Sequence, residues 1–262
     1  MKVNDIIDLL NEKLKLANQE NWDNSGLQIG DYNGEVEGIL LALDISKEVV
    51  DYAIKEKVNL IITHHPFLFS SIKCINLTTL QGSLISALIK NNISVVSFHT
   101  SLDAALNGMT KELAKKLGVT EYSVLHQYYI DESNNIFGFG GMGFVEKSTI
   151  KKYANLVKEN LNCDTIKVFS DDLNKDVYKV AFCGGSGADF IEDAIKKLAD
   201  VYVTGDIKYH DAQYALNNNL SIIDAGHFYT ENVILDKLYE ILLPKIKNLK
   251  KFTKNTVIEH VF

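Results

Sequence analysis

The 262-residue chain contains no arginine: all 27 of its basic residues are lysine, against 34 Asp and Glu, for a formal net charge of -7. That absence argues against nucleic acid as a partner, because Arg makes the commonest base contact to duplex DNA. It also removes the guanidinium fork, so any anion site has to use Lys, backbone N–H groups or a metal. Cysteine is scarce. Cys74, Cys163 and Cys183 are odd in number, far apart and in no CxxC pair, which excludes a thiolate zinc site and a disulfide framework. Proline occurs twice, and with 46% hydrophobic and 23% charged residues the composition is neither disordered nor collagenous. No apolar run approaches the ~18 residues a membrane span needs. Asp5, Asp8, Asn11 and Glu12 interrupt the N-terminal apolar residues, so no signal peptide is read there, and the expected compartment is the cytoplasm.

What is present is an alternation of strands and helices. Segment 4–18 carries Ile6, Leu9, Leu10 and Leu14 on one helical face, with Asn4 as its expected cap. GILLALD (38–44), NLIITHH (59–65) and ISVVSFH (93–99) read as buried strands, separated by helical segments, the first of them capped by Ser46. A helix over 107–118 closes at Gly118. Between about 120 and 179 the pattern changes, with a Gly-rich strand at 137–145 and a helix capped by Ser148. The alternation then resumes through VYKVAFCGG, DVYVTGD and LSIIDAG, and residues 256–262 are expected to add a last strand. The expected class is α/β, with parallel or mixed sheets covered by helices.

The second alternating stretch resembles the first. VNLIITHHPF (58–67) aligns with ADVYVTGDIK (199–208), placing Thr63 on Thr204. NNISVVSFHTSLD (91–103) aligns with NNLSIIDAGHFYTE (218–231) given one inserted residue, placing His99 opposite His227 and Asp103 opposite Glu231. This implies an internal duplication into two similar α/β lobes, assigned to residues 1–125 and 126–262, with the C-terminal segment able to pack back on the first lobe. Two such lobes would meet at a shared cleft, since open α/β sheets bind ligands outside the carboxyl ends of their strands.

The chemistry-bearing residues fall at those strand ends. His64-His65-Pro66 follows a strand, and neighbouring strand residues point to opposite faces, so two ligands here require the backbone to turn off the sheet. His99 and Asp103, and again His227 and Glu231, stand at i and i+4 and can converge on one centre. Adjacent imidazoles suit Zn, Fe, Mn or Ni, and a carboxylate can bridge two such ions. The competing reading is that the histidines are structural and that Asp103 and Glu231 cap helices as first-turn acids do. Asp206 and His210 occupy the second lobe's equivalent of His64-His65, and His210 is a candidate proton shuttle or an ordinary surface histidine.

Other motifs carry less. GFGGMG (138–143) matches GxGxxG but does not open a helix, which argues against a dinucleotide loop. GGSG (184–187) joins a strand to a helix and could hold an anion or simply turn the chain. His126 and His260 have no polar partners at useful spacing and are read as structural. Lys245, Lys247, Lys250, Lys251 and Lys254 form a basic run, most simply a solvated face.

Taken together, WDNSGLQIG (22–30), LALD (41–44), IITHHPF (61–67), FHTSLD (98–103), GGSG (184–187), VTGDIKYHD (203–211) and DAGHFYTE (224–231) resemble the dinuclear-metal family known as GTP cyclohydrolase 1 type 2, or Nif-three-like (Ngg-interacting-factor). The resemblance covers essentially the full length. It implies two α/β lobes with a di-metal site in the cleft, and a homohexamer. It implies two divalent ions per chain, Zn, Fe, Mn or Ni, on His64, His65, Asp103, His227 and Glu231, with Glu231 the bridge and His99 nearby rather than a ligand. Many relatives carry Arg within the motif where this chain has Gly141. The expected function is a metal-dependent hydrolase acting on a nucleotide-like small molecule, with His99 or His210 moving the proton. The alternative is a non-catalytic metal chaperone, sensor or regulatory interaction protein.

Overall fold

Strands form where the sequence is continuously apolar, and helices where the apolar residues return every three or four positions. In the computed structural model, which describes residues 1–257, the elements run α1 (Val3–Leu14), β1 (Gly26–Ile29), β2 (Ile39–Ala42), α2 (Lys47–Lys55), β3 (Leu60–Thr63), α3 (Leu80–Lys90), β4 (Ser94–Ser97), α4 (Thr100–Asp103) and α5 (Met109–Lys116). They continue through β5 (Thr120–Ile130), β6 (Ile136–Thr149), α6 (Ile150–Leu161), β7 (Lys167–Phe169), β8 (Asp176–Ser186), a short 3-10 turn and α7 (Ile191–Lys196). The last elements are β9 (Val201–Gly205), α8 (Tyr209–Asn217), β10 (Ser221–Asp224), α9 (His227–Glu231), α10 (Val233–Leu242) and β11 (Leu249–Lys251).

The chain divides into two units: Met1–Leu102 with the segment from Leu235 onward, and Asp103–Ile234. The boundary expected near residue 125 instead falls inside β5, which pairs with β6 in the second unit's sheet. Asp103, assigned from sequence to the first lobe, opens the second unit.

In the first unit the strand order is β1-β4-β3-β2-β11, and in the second β5-β6-β8-β9-β10-β7. Within these, β1-β4-β3-β2 and β7-β10-β9-β8 are the same arrangement: three parallel strands with an antiparallel strand at one side. The helix preceding β1 is matched by the one preceding β7, so the duplication read from two aligned segments extends over the whole αββαβαβα unit. The second unit adds α5 and the β5–β6 hairpin to it.

Each sheet packs a helical pair on one face. Val49, Val50 and Ala53 of α2 and Leu84 and Leu88 of α3 bury against Leu40, Ile61 and Val95. Ile191 and Ala194 of α7 and Ala215 of α8 bury against Ala181, Tyr202 and Ile222. All four residues of β2, β3 and β4 are buried, as expected of central parallel strands covered on both faces. At about 25 cal/mol per Å² of apolar surface, these fully buried Leu, Ile and Val side chains each stabilise the fold by about 1.5–3 kcal/mol.

Local differences from the sequence expectations have simple causes. Ser46 caps α2 as expected, accepting from Val49 N at 3.2 Å. Asn4 does not cap α1: the helix starts at Val3, Lys2 is the cap position, and Asp5 in the first turn accepts from Lys2 N at 2.7 Å. The cap of α6 is Thr149 rather than Ser148, since β6 runs on to Thr149. GFGGMG lies wholly within β6, and a Cβ on Gly141 would sit 2.4 Å from the Phe182 ring of the neighbouring strand. That glycine serves sheet packing. His126 has a polar partner after all, Asp193, at 2.8 Å and far off in sequence, and its ring lies 5.0 Å from that of Phe190.

The expected strand at 256–262 is not seen at Thr256 and Val257, which form a bend, and the rest of it, with His260, lies outside the described residues. The C-terminal strand is β11 instead, parallel to β2. The lysine run belongs to this segment, and acids meet it: Glu56 pairs with Lys250, Asp236 with Lys251 and Glu48 with Lys254. Among the described residues, no helix is long and apolar enough to cross a membrane.

Candidate functional site

Parallel register decides which side chains gather. Ala42, Thr63 and Ser97 stand in register along β2, β3 and β4, so Asp44, His64-His65 and His99 all leave the first unit's sheet at the same end. The turn off the sheet that two adjacent ligands require is made just past Thr63. Thr63 Oγ1 donates to the His65 carbonyl at 2.9 Å, and His65 N donates to Leu43 O at 2.9 Å. The rings of His64 and His65 lie 4.8 Å apart, and that of His99 is 5.3 and 5.6 Å from them. One nitrogen from each of the three falls within 4.8 Å of the others, a spacing that can hold a metal ion. His99 therefore stands in the first unit's histidine group.

Each ring is held by its other nitrogen. His64 Nδ1 is 2.8 Å from the Phe98 carbonyl, which can only accept, so Nδ1 carries the proton and Nε2 the lone pair. His65 Nδ1 meets Asp44 at 2.8 Å, and His99 Nδ1 meets Asp23 at 2.8 Å. Asp23 is buried. Its carboxylate also accepts from Ser25 Oγ at 2.8 Å, from Thr100 N at 3.1 Å and Oγ1 at 2.6 Å, and from Asn24 N at 2.8 Å. Burial alone would raise the Asp23 pKa, but the hydrogen bonds from His99, Thr100 and Ser25, with the His99 charge, hold it well below the usual carboxylate range.

The second unit repeats the device. Phe182 on β8 pairs with Val203 on β9, and Thr204 pairs with Asp224 on β10, so the GGSG loop, Asp206 and His227 emerge together. The i,i+4 spacing brings His227 Nε2 to 3.0 Å from Glu231 Oε2, and His227 Nδ1 lies 2.7 Å from Asp206 Oδ2. With Nδ1–H donated to Asp206, the Nε2 lone pair faces a carboxylate oxygen. Two acceptors at that distance require a cation between them, either a proton or a metal ion. Glu231 is buried. Burial, then the charges of Asp103 and Glu231, push the Cys183 thiol well above its usual range, so both carboxylates bear on the same point of this unit.

Two backbone groups of the GGSG loop are bonded within the second unit. Gly185 N donates to Thr230 Oγ1 at 3.0 Å, and the Gly187 carbonyl accepts from the Tyr202 hydroxyl at 2.8 Å. Gly185 has φ +66°, and a Cβ there would lie 2.1 Å from Glu231 Oε1. Glycine at 185 thus lets the backbone pass close to the Glu231 carboxylate. His210 is exposed on the first turn of α8, its ring edge-on to Tyr209 at 5.2 Å.

Sequence reasoning assigned no role to Asp23, Asp44 and Asp206, the carboxylates that orient three of the histidines. Asp44 stands two residues past the end of β2 and Asp206 one past the end of β9, positions at which an acid in a parallel sheet faces the same rim as the ligands. Asp23 lies in a turn-rich segment and carried no such signal.

The donor set suits divalent ions of intermediate softness: imidazole nitrogens in the first unit, imidazole and carboxylates in the second. Histidines that bind a metal characteristically give their other nitrogen to a carboxylate or carbonyl, which is the pattern at all four rings.

Comparison with known proteins gives a consistent result. The model of the family described as Duf34/NIF3 (NGG1p interacting factor 3) matches residues 1–260. A Clostridium acetobutylicum protein named GTP cyclohydrolase 1 type 2 homolog is 35% identical over 253 residues, covering 94% of this chain and 92% of its own length. A Streptococcus pneumoniae protein of the same name is 37% identical over 223 residues, covering 84% and 82%. Among solved structures, a Bacillus cereus protein related to NIF3 superposes with a TM-score of 0.90 at 26% identity, covering 100% and 99% of the two chains. Reduced HcgD from Methanocaldococcus jannaschii gives a TM-score of 0.81 at 28% identity, covering 96% and 97%.

Proposed function

The chain belongs to the Duf34/NIF3 family, and from that premise we propose that it is a metal-dependent hydrolase acting on a nucleotide-like small molecule. In this reading His64, His65, Asp103, His227 and Glu231 would hold two divalent ions, Zn, Fe, Mn or Ni, which Glu231 would share. The observation that carries it is the anchoring of Nδ1 in His64, His65, His99 and His227 by the Phe98 carbonyl, Asp44, Asp23 and Asp206. Structural histidines have no need for four such arrangements at the ends of parallel strands.

Bound ions of this kind supply Lewis acidity toward a substrate oxygen and ease the deprotonation of water. The protein's own contribution is positional. Asp44, Asp23 and Asp206 fix ring orientation and tautomer, so that Nε2 is the basic nitrogen of each ring. Gly185, tied to Thr230 Oγ1, leaves room for the Glu231 carboxylate where a Cβ would not. His99, held by the ionised Asp23, accepts a proton at Nε2, and exposed His210 exchanges protons with bulk water. The name carried by the curated relatives supports GTP, opened at the purine C8, as the specific substrate.

The test is metal content by mass spectrometry for wild type and Glu231→Ala, purified without chelator. About two ions per chain, falling to one or fewer in the variant, is the expected result for a bridged pair. No ion in the wild type after anaerobic reloading with Zn, Mn and Fe refutes the proposal.

A further inference from the structure

Two large aromatic rings stand in solvent beside the histidine group. Trp22, the single tryptophan of the chain, is 58% exposed, and Phe69 is 53% exposed. Their centroids are 6.0 Å apart with the planes tilted by 51°. Both meet His99 edge-on, Trp22 at 5.8 Å and Phe69 at 6.4 Å. Leaving so much aromatic surface in water is unfavourable, and a mobile loop would fold such rings away.

These loops are pinned. Trp22 sits in a turn closed by Asp23 N donating to Glu20 O at 3.0 Å, and the next residue is the buried, multiply bonded Asp23. Phe69 follows Leu68, whose backbone is gripped from both sides: Asn24 Nδ2 donates to Leu68 O at 2.7 Å, and Leu68 N donates to Gln28 Oε1 at 3.1 Å. Gln28 Nε2 in turn donates to Asn24 O at 2.6 Å. Asn24 and Gln28 thus tie the loop bearing Trp22 to the loop bearing Phe69. The polar residues of the 22–30 segment are spent on holding two exposed rings in a fixed relation, and preorganisation of this kind lowers the entropic cost of binding.

We propose that Trp22 and Phe69 form a stacking platform for a planar nitrogen heterocycle, such as a purine base, and direct its edge toward His99, His64 and His65. The inference deepens the proposed function and rests on its nucleotide-like substrate class. Aromatic faces accept any heterocycle because every base has a π-face, so the platform supplies affinity and orientation while the histidine side supplies chemistry. His99 belongs to both groups, which makes the platform continuous with the candidate site.

The experiment compares guanosine 5'-monophosphate with ribose 5-phosphate, which differ only by the base, on the full-length protein. Trp22 is its own reporter, because no other tryptophan contributes to the fluorescence. The expected result is saturable quenching of Trp22 by the nucleotide and none by the sugar phosphate. Calorimetric affinity for the nucleotide should weaken about tenfold in Trp22→Ala and remain near wild type in Trp22→Phe, with metal content unchanged in both. Phe69→Ala, read through the intact Trp22, should also weaken binding. Equal binding of the two probes, or no binding of either, overturns the proposal. So does a Trp22→Ala protein that falls to a smaller oligomer while nucleotide affinity stays unchanged, because a second copy of the chain would then be what covers the ring. Wild type that takes up no ion on reloading yet shows base-dependent quenching would refute the hydrolase reading and leave the platform standing. Metal-loaded protein without base-dependent binding would do the reverse.

Discussion

Replacing Asp23 by Asn tests whether the group beneath His99 is an anion on which the local fold depends. Asp23 Oδ1 accepts from Asn24 N and His99 Nδ1, and Oδ2 accepts from Ser25 Oγ, Thr100 N and Thr100 Oγ1. An asparagine keeps one acceptor oxygen. With that oxygen toward His99, the new amide meets three donors. The two hydroxyls can rotate to accept from it, but the Thr100 backbone N–H cannot. The flipped amide instead faces Asn24 N and His99 Nδ1. Either way at least one buried donor is stranded, at about 1–3 kcal/mol, and the remaining bonds lose their ionic assistance. The expected loss is about 3 kcal/mol, or roughly 6–12 °C in Tm at about 2–4 °C per kcal/mol for a domain-sized chain. Chemical denaturation of chelator-treated wild type and variant measures it with metal set aside.

The pH dependence sharpens the test. Asp23 is held below its unfolded value, so its ionic contribution is complete above the unfolded pKa of about 3.9. As pH falls below about 4, the unfolded chain takes up a proton that folded Asp23 refuses, and the contribution declines by up to about 1.4 kcal/mol per pH unit. The gap between wild type and variant should therefore narrow on acidification. A loss below about 1 kcal/mol at neutral pH, or a gap that does not change between about pH 7 and about pH 3, would refute the reasoning.

Three further outcomes are expected. Gly185→Ala puts a methyl group 2.1 Å from Glu231 Oε1 at a residue with φ +66°, so it should cost at least about 1–2 kcal/mol and lower bound metal, the result also expected of Glu231→Ala; unchanged metal content would sink that role. Burial pushes the Cys163 thiol up to about 12, with Asp164 adding to it, and Cys183 is raised further. Native protein should then expose only Cys74 to a thiol reagent near neutral pH, and denatured protein all three. Lys254→Ala removes an exposed pair with Glu48 and should cost less than about 1 kcal/mol, with no salt-dependent duplex DNA binding in wild type or variant.

Legibility in the sequence followed the range of the interaction. The central strands β2, β3 and β9 were readable because burial on both faces leaves a continuous apolar run. The His227–Glu231 pairing was readable because one helical turn fixes it. The β5–β6 hairpin was seen only in part, since β5 buries Leu125 alone among exposed and half-buried residues and its apolar residues do not alternate. The caps of α1 and α6 lie two residues and one residue from Asn4 and Ser148, where neighbouring polar side chains compete for the same backbone donors. The GGSG loop illustrates a deeper ambiguity: glycine looks the same whether it makes room for an incoming anion or for the protein's own carboxylate. Asp23 and His99 are brought together from opposite ends of the first unit's first hundred residues, and no local pattern encodes that meeting.

The C-terminal strand gives the molecule an order of assembly. Leu249 to Lys251 complete the sheet that begins with Ile39 to Ala42, with the entire second unit lying between them along the chain. During synthesis the second unit has all its strands in hand as soon as its own residues have emerged. The first unit must wait with β2 at an open edge, and closing so long a loop comes late. The half of the protein translated first waits on a strand translated after the second unit, so the ribosome-bound chain carries an incomplete, edge-exposed domain until β11 is made.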